Sequence, residues 1–289
     1  MATEKLAIVT DSACDISMDE LADWGVKCVN LHVEDAQGNS LVSDNDADSV
    51  EAFYDFLATH DELPKTSMPS PLEFGDMYSQ LAVEGYTRVL SIHMSEAMSG
   101  TCNSARMAAQ TASIPVEVID LKRNTLTQAL LVRMAARLRD EGFSCEEIVS
   151  VLESVIPNSS IVFALETLDN LVKCGRTGKA TGLIANLLDI KPILMVGQDG
   201  VVNSVAKARS MKRAINKLVD KAVALTEEIG PLEGYLCHVR NPEALKMLRD
   251  ALVEKGVAFK ELGVRQVGPI IATHVGLGCV GFAYVPAQR

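Results

Sequence analysis

The first half of the chain alternates short apolar runs with amphipathic segments. Four runs have the length and composition of buried strands, at residues 6–9, 26–31, 89–93 and 116–119. Apolar runs of this length, separated by helical periodicity, are typical of strands and helices in a largely parallel sheet. We therefore predict an N-terminal α/β domain in which a mostly parallel sheet is flanked by helices.

The second half has the same two kinds of pattern in a different order. After Pro157 comes a new apolar run at 161–165, and runs at 193–196 and 201–205 flank a Gly-Gln-Asp-Gly turn, which predicts a hairpin. Helical and strand-like runs then alternate at residues 211–228, 235–239, 242–255, 257–262 and 280–285. This order predicts a C-terminal α/β domain with a mixed sheet and helices. We place the domain boundary near residue 158, which gives domains 1–158 and 159–289.

Serine residues mark three helix starts. Ser70 is followed by a proline at the first helical position and by Glu73, which is the pattern of a capping box. The same Ser-x-x-Glu spacing recurs at residues 17–20 and 144–147. Each of these positions predicts the N-terminus of a helix.

The composition indicates which kinds of partner the protein can bind and in which cellular compartment we expect it. The 289 residues carry a formal net charge of -11, which repels phosphate backbones and anionic membrane surfaces, so we expect no nucleic-acid partner. The longest apolar stretch, 184–196, is interrupted by polar and charged residues, which argues against a stable membrane insertion. Seven cysteines form no C-x-x-C pair and no secretory leader is recognisable, so we expect reduced thiols and a cytoplasmic protein.

Three segments rich in hydroxyl side chains and glycine are candidates for one anion-binding pocket. They lie at residues 66–70, 95–101 and 268–281. The second segment follows a predicted strand, and the first precedes the capped helix at Ser70, so free N–H groups and hydroxyls can converge on a negative ligand. The side chains and backbone that we expect to bind it are Thr66, Ser67, Ser99, Gly100 and His274.

Sequence motifs for common catalytic or nucleotide sites are incomplete. Residues 276–281 match G-x-G-x-x-G, but the apolar run after them leaves no room for a βαβ unit. The basic loop at 173–179 lacks the first glycine and the final Ser or Thr of a P-loop. H-E-x-x-H and G-x-S-x-G are absent from the chain. We therefore expect no metal, no cofactor and no catalytic residue, and the basic loop is either a solvated turn or a docking point.

Taken in order, these segments resemble the DegV family of bacterial fatty-acid-binding proteins, which includes carrier subunits of fatty acid kinase. The resemblance spans nearly the whole chain. It is carried by I-V-T-D-S at 8–12, T-S-M-P-S at 66–70, S-I-H at 91–93 with S-G-T at 99–101, L-E-T-L at 165–168 with G-R-T-G-K at 175–179, and G-P at 268–269 with T-H-V-G at 273–276. The chain departs from the family pattern at Met68, Glu96, Ala97, Cys174 and Leu277.

The resemblance implies a non-enzymatic carrier that binds one long-chain fatty acid at the interface of the two domains. Thr66 and Ser99 would hydrogen-bond the carboxylate, with His274 and Arg209 near it. The acyl tail would occupy an apolar tunnel, and residues 183–188 present an apolar helical stripe that is a candidate wall. A separate ATP-using kinase would phosphorylate the bound acid, docking near Arg176.

Two alternatives remain open at the level of sequence. The first is a small hydrolase or phosphotransferase that uses Ser99, His274 and Asp11 around an anionic substrate. The second is a regulatory interaction module that works through the basic loop around Arg176.

Overall fold

The computed structural model describes residues 5–41, 46–180 and 190–287, and it contains two principal sheets. The first sheet has four parallel strands in the order β2-β1-β5-β6. Its strands are β1 (Leu6–Asp11), β2 (Val26–Val29), β5 (Arg88–His93) and β6 (Val116–Asp120). The four apolar runs of the first half are therefore strands, and the predicted parallel sheet is confirmed.

The second sheet has six strands in the order β11-β10-β12-β7-β8-β9. Its strands are β7 (Ser160–Ala164), β8 (Lys191–Val196), β9 (Val202–Ala208), β10 (Leu232–His238), β11 (Phe259–Gln266) and β12 (Val280–Pro286). Strands β10 and β11 are parallel and the other pairs are antiparallel, so the predicted mixed sheet is confirmed. The predicted hairpin joins β8 to β9, and β12 lies between β10 and β7.

A third, two-stranded sheet is absent from the sequence prediction. Strands β3 (His32–Glu34) and β4 (Lys65–Ser67) pair antiparallel, and Val33 lies opposite Thr66. Three residues per strand are too few for a recognisable alternation of apolar and polar positions. Thr66 is consequently part of a strand rather than of a simple turn.

Helices pack around and between the sheets. They are α1 (Met18–Asp23), α2 (Ala47–Thr59), α3 (Pro71–Val83), α4 (Thr101–Ala109), α5 (Thr125–Asp140), α6 (Cys145–Val155), α7 (Asp169–Lys173), α8 (Met211–Ile229), α9 (Pro242–Glu254) and α10 (Pro269–Val275). The serines at positions 17, 70 and 144 accept hydrogen bonds from the first turns of α1, α3 and α6, as predicted. Helix α10 lies in the segment where the sequence predicts only a turn.

Helix α5 joins the two principal sheets into one apolar core. Most of its side chains are buried on every face, and it contacts β1 on one side and β7, β10 and β12 on the other. Leu126 and Leu130 belong to the same buried cluster as Leu6 from β1 and Phe163 from β7. The domain boundary near residue 158 falls between the two sheets in sequence and remains a prediction.

Two sequence predictions concern membranes and the acyl tail. Within the described residues, no helix combines the length and the apolarity needed to cross a bilayer. The candidate tail-lining stripe at 183–188 lies outside the described residues.

Asp15 is a buried acid at the junction of α5 and α10. Its Oδ2 accepts a hydrogen bond from the Thr125 hydroxyl at 2.5 Å, and the backbone N–H of Gly268 also donates to it. Burial, with a smaller contribution from the nearby carboxylate of Asp11, raises the pKa of Asp15 from 3.8 to about 7 against the lowering effect of the two hydrogen bonds. The neighbouring titratable groups are Cys14, Tyr54 and Cys237, none of which is a cation.

We expect Asp15 to make stability fall as the pH rises. Because the folded state retains a proton that the unfolded state loses, the free energy of unfolding should decrease between the two pKa values, by up to about 1.4 kcal/mol per pH unit. Asp15→Asn should flatten this profile when urea denaturation is followed across that range. The exposed Asp61→Asn is the control and should keep the wild-type slope; an equally steep slope in Asp15→Asn would contradict the assignment.

Candidate functional site

A cavity of about 300 Å³ opens between the carboxyl edge of the parallel sheet and the six-stranded sheet. Its wall is mainly apolar and comes from both halves of the chain. The apolar lining residues are Leu31, Met68, Met94, Met98, Ile161, Phe163, Leu171, Val196, Val202, Cys237, Val267, Ile270, Ile271, Val275 and Cys279. Volume and lining are those of a small-molecule site, in which a few polar groups orient a largely apolar ligand.

The three candidate segments meet at this cavity. Thr66, Ser67, Ser99, Gly100 and His274 all line it. The Thr66 Oγ1 atom lies 3.1 Å from His274 Nε2, across 208 positions of sequence. The structure therefore brings together every predicted ligand-binding residue except Arg209, while their role in binding stays a prediction.

Thr66 is held between two rigid elements. Strand β4 carries it, and a capping box then starts α3, in which Ser70 Oγ accepts from the Glu73 N–H at 3.3 Å and Glu73 Oε2 accepts from the Ser70 N–H at 2.8 Å. The capping box fixes the turn that follows β4. Thr66 thus presents its hydroxyl from a fixed backbone.

Ser99 lies in the turn between β5 and α4. The Ser99 N–H donates to Ser95 O at 3.1 Å, and the buried Ser95 hydroxyl donates at 2.7 Å to Gly200 O in the turn that joins β8 to β9 of the second sheet. The Ser99 Oγ lies 2.8 Å from Thr101 Oγ1. This turn is therefore anchored to both sheets.

Glycine at position 100 permits a close approach of two of the segments. A Cβ atom at this position would lie 2.4 Å from Met68 Sδ, well inside van der Waals contact. Met68, which departs from the family pattern, is half exposed and packs over Gly100 at the cavity. Any larger residue at position 100 must displace the Met68 thioether.

His274 is neutral at ordinary pH. Burial, with a smaller contribution from the nearby Arg176 guanidinium, lowers its pKa to about 4. The Nδ1 atom is buried and has no hydrogen-bond partner among the described residues. In folded proteins a buried N–H without an acceptor is rarer than a buried acceptor without a donor. We therefore assign the proton to Nε2 and leave the unpartnered Nδ1 as the acceptor. His274 then donates to Thr66 Oγ1, which leaves the Thr66 proton available to a ligand.

Arg176 is the cationic side chain among the described residues that line the cavity. It is exposed, and its Nη1 donates to Cys174 O of its own loop at 2.6 Å. The resemblance implies partner docking near Arg176, and in the structure this residue lies beside the polar end of the cavity. No acidic side chain lines the described part of this cavity.

Glu96 and Arg209 lie away from the polar end. Glu96 is exposed and pairs with Arg106 at 2.6 Å, so its charge is directed away from the cavity that Ser99 lines. Strand β9 begins at Val202, which lines the cavity, and ends at Ala208. Arg209 is exposed just after that far end, on the order of 20 Å from Val202 at ~3.3 Å per residue. Arg209 is not among the described lining residues, and its predicted place near the carboxylate has no support from this geometry.

Asp11 does not join Ser99 and His274, so the three side chains do not form the arrangement that the hydrolase or phosphotransferase alternative requires. Its carboxylate is fully buried within the parallel sheet, where Oδ2 lies 2.9 Å from His93 Nδ1 and accepts from the Met94 N–H at 3.0 Å. Asp11 ends β1 at the carboxyl edge of the sheet, where ligands usually bind, but its position in the sequence does not reveal that its side chain points inward.

Sequence reasoning missed two polar residues of the wall. Asn124 and Thr125 line the cavity where α5 begins, and the Asn124 Oδ1 is buried without a hydrogen-bond partner among the described residues. Both follow Asp120 at the carboxyl end of β6, so the rule that selects the 95–101 segment also applies to them. The described ranges hold no cluster of three or more His, Cys, Asp or Glu side chains arranged for a metal ion.

Comparison with known proteins covers almost the entire chain. The model of a family described as uncharacterised proteins, DegV family, matches residues 5–287. A DegV domain-containing protein of Deinococcus radiodurans is 36% identical over 97% of this chain and 98% of its own length. The structure of a DegV family protein from Thermus thermophilus, described by its fatty acid binding, has a TM-score of 0.88 at 30% identity, covering 98% of this chain and 100% of that one. A stearic acid-binding protein from Eubacterium ventriosum has a TM-score of 0.86 at 25% identity, covering 98% of both chains.

We expect the His274 imidazole to remain neutral above about pH 5 and to carry its proton on Nε2. Long-range ¹H–¹⁵N spectra of histidine-labelled protein report both the tautomer and the protonation state, and His274→Gln identifies the signal. Protonation of His274 near neutral pH, or a proton on Nδ1, would contradict the assigned hydrogen bond to Thr66.

Proposed function

The chain belongs to the DegV family, and on this premise we propose that it binds one long-chain fatty acid in the cavity between its two sheets. The carboxylate lies against Thr66, Ser67 and Ser99, beside Gly100 and His274, and the acyl tail fills the apolar part. The strongest support is the convergence of uncharged donors at one end of an apolar cavity without an acidic side chain in its described wall.

The apolar wall accounts for affinity. Burying about 15 methylene groups at ~0.8 kcal/mol each contributes on the order of 12 kcal/mol. Association of two molecules costs roughly 4 to 15 kcal/mol in lost freedom. Tail burial therefore offsets much of the association cost, and the hydrogen bonds at the head decide which amphiphile is retained.

The polar end accounts for selection of the head. A carboxylate that leaves water without partners carries a large desolvation penalty, so several donors must replace its hydration. The hydroxyls of Thr66 and Ser99 serve this purpose, and the positive charge of Arg176 beside them favours an anion. Because His274 is neutral, it adds no positive charge of its own to this end of the cavity.

We expect loss of the Thr66 and Ser99 hydroxyls to empty the site of fatty acid. Thr66→Val combined with Ser99→Ala removes two hydrogen bonds to a charged group, which should weaken palmitic acid binding by at least about 100-fold. Native mass spectrometry of the purified protein and calorimetric titration after removal of lipid measure occupancy and affinity. The control is Ser154→Ala, which removes a hydroxyl on the exposed side of α6.

Two results would count against this function. Wild-type protein that neither retains nor binds a fatty acid would overturn the proposal as a whole. Unchanged affinity in the double variant would overturn the assigned polar end while leaving lipid binding in place.

We further propose that the bound acid is presented to a separate ATP-using kinase. In that reaction a carboxylate oxygen attacks the γ-phosphorus of ATP, ADP leaves, and an acyl phosphate forms on the acid. Described residues around the cavity supply no acidic metal ligand or phosphate-binding loop for ATP, which favours a partner that brings both. Arg176 is exposed enough to contact that partner beside the cavity.

Arg176→Ala tests the docking role against the ligand role. Palmitate-loaded protein, ATP and an ATP-binding fatty acid kinase subunit should yield acyl phosphate, and the chain alone should yield none. At matched palmitate occupancy, Arg176→Ala should lower the transfer rate by about 10-fold or more, as for loss of a charged interface contact. Lys179→Ala in the same loop, where Lys179 pairs with Asp199, is the control. A rate that falls only in proportion to occupancy would assign Arg176 to the ligand instead.

A further inference from the structure

Thr101 is a polar residue directly behind the proposed head-group site. It is the first residue of α4 and is completely buried, and it is not among the described residues that line the cavity. Its Oγ1 lies 2.8 Å from the Oγ of Ser99, which does line the cavity. Thr101 therefore contacts the wall residue without contacting the space that a ligand would occupy.

The hydrogen bond between these hydroxyls has a preferred direction. Within the described residues, Ser99 Oγ is the partner found for Thr101 Oγ1. If Thr101 accepted the Ser99 proton, its own proton would be buried without an acceptor, which carries a desolvation penalty. If Thr101 donates, its proton is satisfied and the Ser99 proton is free to turn toward the cavity. When Thr101 donates, the only groups without a partner are lone pairs on the hydroxyl oxygens.

We propose that Thr101 is a positioning residue that orients the Ser99 hydroxyl proton toward the ligand head. This inference rests on the proposed fatty acid function. His274 acts in the same way on Thr66, so each of the two hydroxyls accepts a hydrogen bond from a second polar side chain, which is buried in the case of Thr101 and part of the cavity wall in the case of His274. Together, His274 and Thr101 leave the hydroxyl protons of Thr66 and Ser99 free to point into the cavity. Two such protons favour a head group that only accepts hydrogen bonds, such as an ionised carboxylate.

The start of α4 adds to this preference. Gly100 is the N-cap of the helix, and no side chain caps its first turn. The N-terminal end of a helix carries a partial positive charge, and uncapped N–H groups there favour a nearby anion. The Ser99 proton and the helix end thus favour the same ligand charge.

Comparison of Thr101→Val with Thr101→Ser separates the effect of the Thr101 hydroxyl on binding from the effect of its methyl group. Valine keeps the shape and removes the donor, so we expect about 10-fold weaker binding of palmitic acid. Serine keeps the donor and should bind palmitic acid within about twofold of wild type. For hexadecanol, whose head is uncharged and makes weaker hydrogen bonds, Thr101→Val should change affinity by no more than about twofold. Calorimetric titration of lipid-free protein measures all of these affinities.

The control is Thr111→Val, which removes a hydroxyl that donates to Ala108 O just after the same helix ends. This variant should bind both ligands as wild type does. Palmitic acid affinity in Thr101→Val equal to that of wild type would overturn the positioning role. An equal loss for palmitic acid and hexadecanol, or a loss in Thr101→Ser as large as in Thr101→Val, would also overturn it, because each indicates packing rather than proton orientation. Wild-type protein that binds neither ligand would instead contradict the proposed function.

Discussion

A carboxylate can be taken out of water only where hydrogen-bond donors replace its hydration, and under the proposed function this constraint accounts for the polar end of the cavity. Thr66 and Ser99 approach from separate segments, and each is hydrogen-bonded to a second polar group, Thr66 to His274 and Ser99 to Thr101. All four are uncharged in this environment, because burial keeps the imidazole pKa near 4. Neutral donors hold an anion without the cost of a buried unpaired cation when the cavity is empty.

The remainder of the fold supplies the two walls between which these donors meet. Helix α5 is buried on nearly all faces and lets the parallel sheet and the mixed sheet share one apolar cluster. Where that core is incomplete, the cavity opens, and its apolar surface comes from both sheets. Asp15 ties the start of α5 to the start of α10 from beneath, so the segment that carries His274 is anchored to the N-terminal half by a buried acid.

Much of this architecture is predictable from local signals in the sequence. Buried strands, capping serines and the glycine-rich hairpin each carry their information within a few neighbouring residues, and each forms as predicted. The pairing of β3 with β4 and the direction of the Asp11 side chain are decided by distant packing, so local pattern does not reveal them. Thr101 belongs to the predicted 95–101 segment, but its burial next to Ser99 depends on tertiary packing that the sequence does not reveal. The resemblance implies a place for Arg209 near the carboxylate, whereas β9 leads it away from the described lining residues.

The last strand of the chain, β12, occupies the middle of the six-stranded sheet, between β10 and β7. During synthesis the ribosome releases β7 and β10 well before their shared neighbour exists, so neither strand can complete its hydrogen-bonding ladder. The wall formed by Phe163 and Cys237 is therefore assembled only after residue 280 has emerged, at nearly the same moment as the donor at position 274. Until residues 280–286 are in place the cavity has no complete wall, so a nascent chain that stops before them has no finished site.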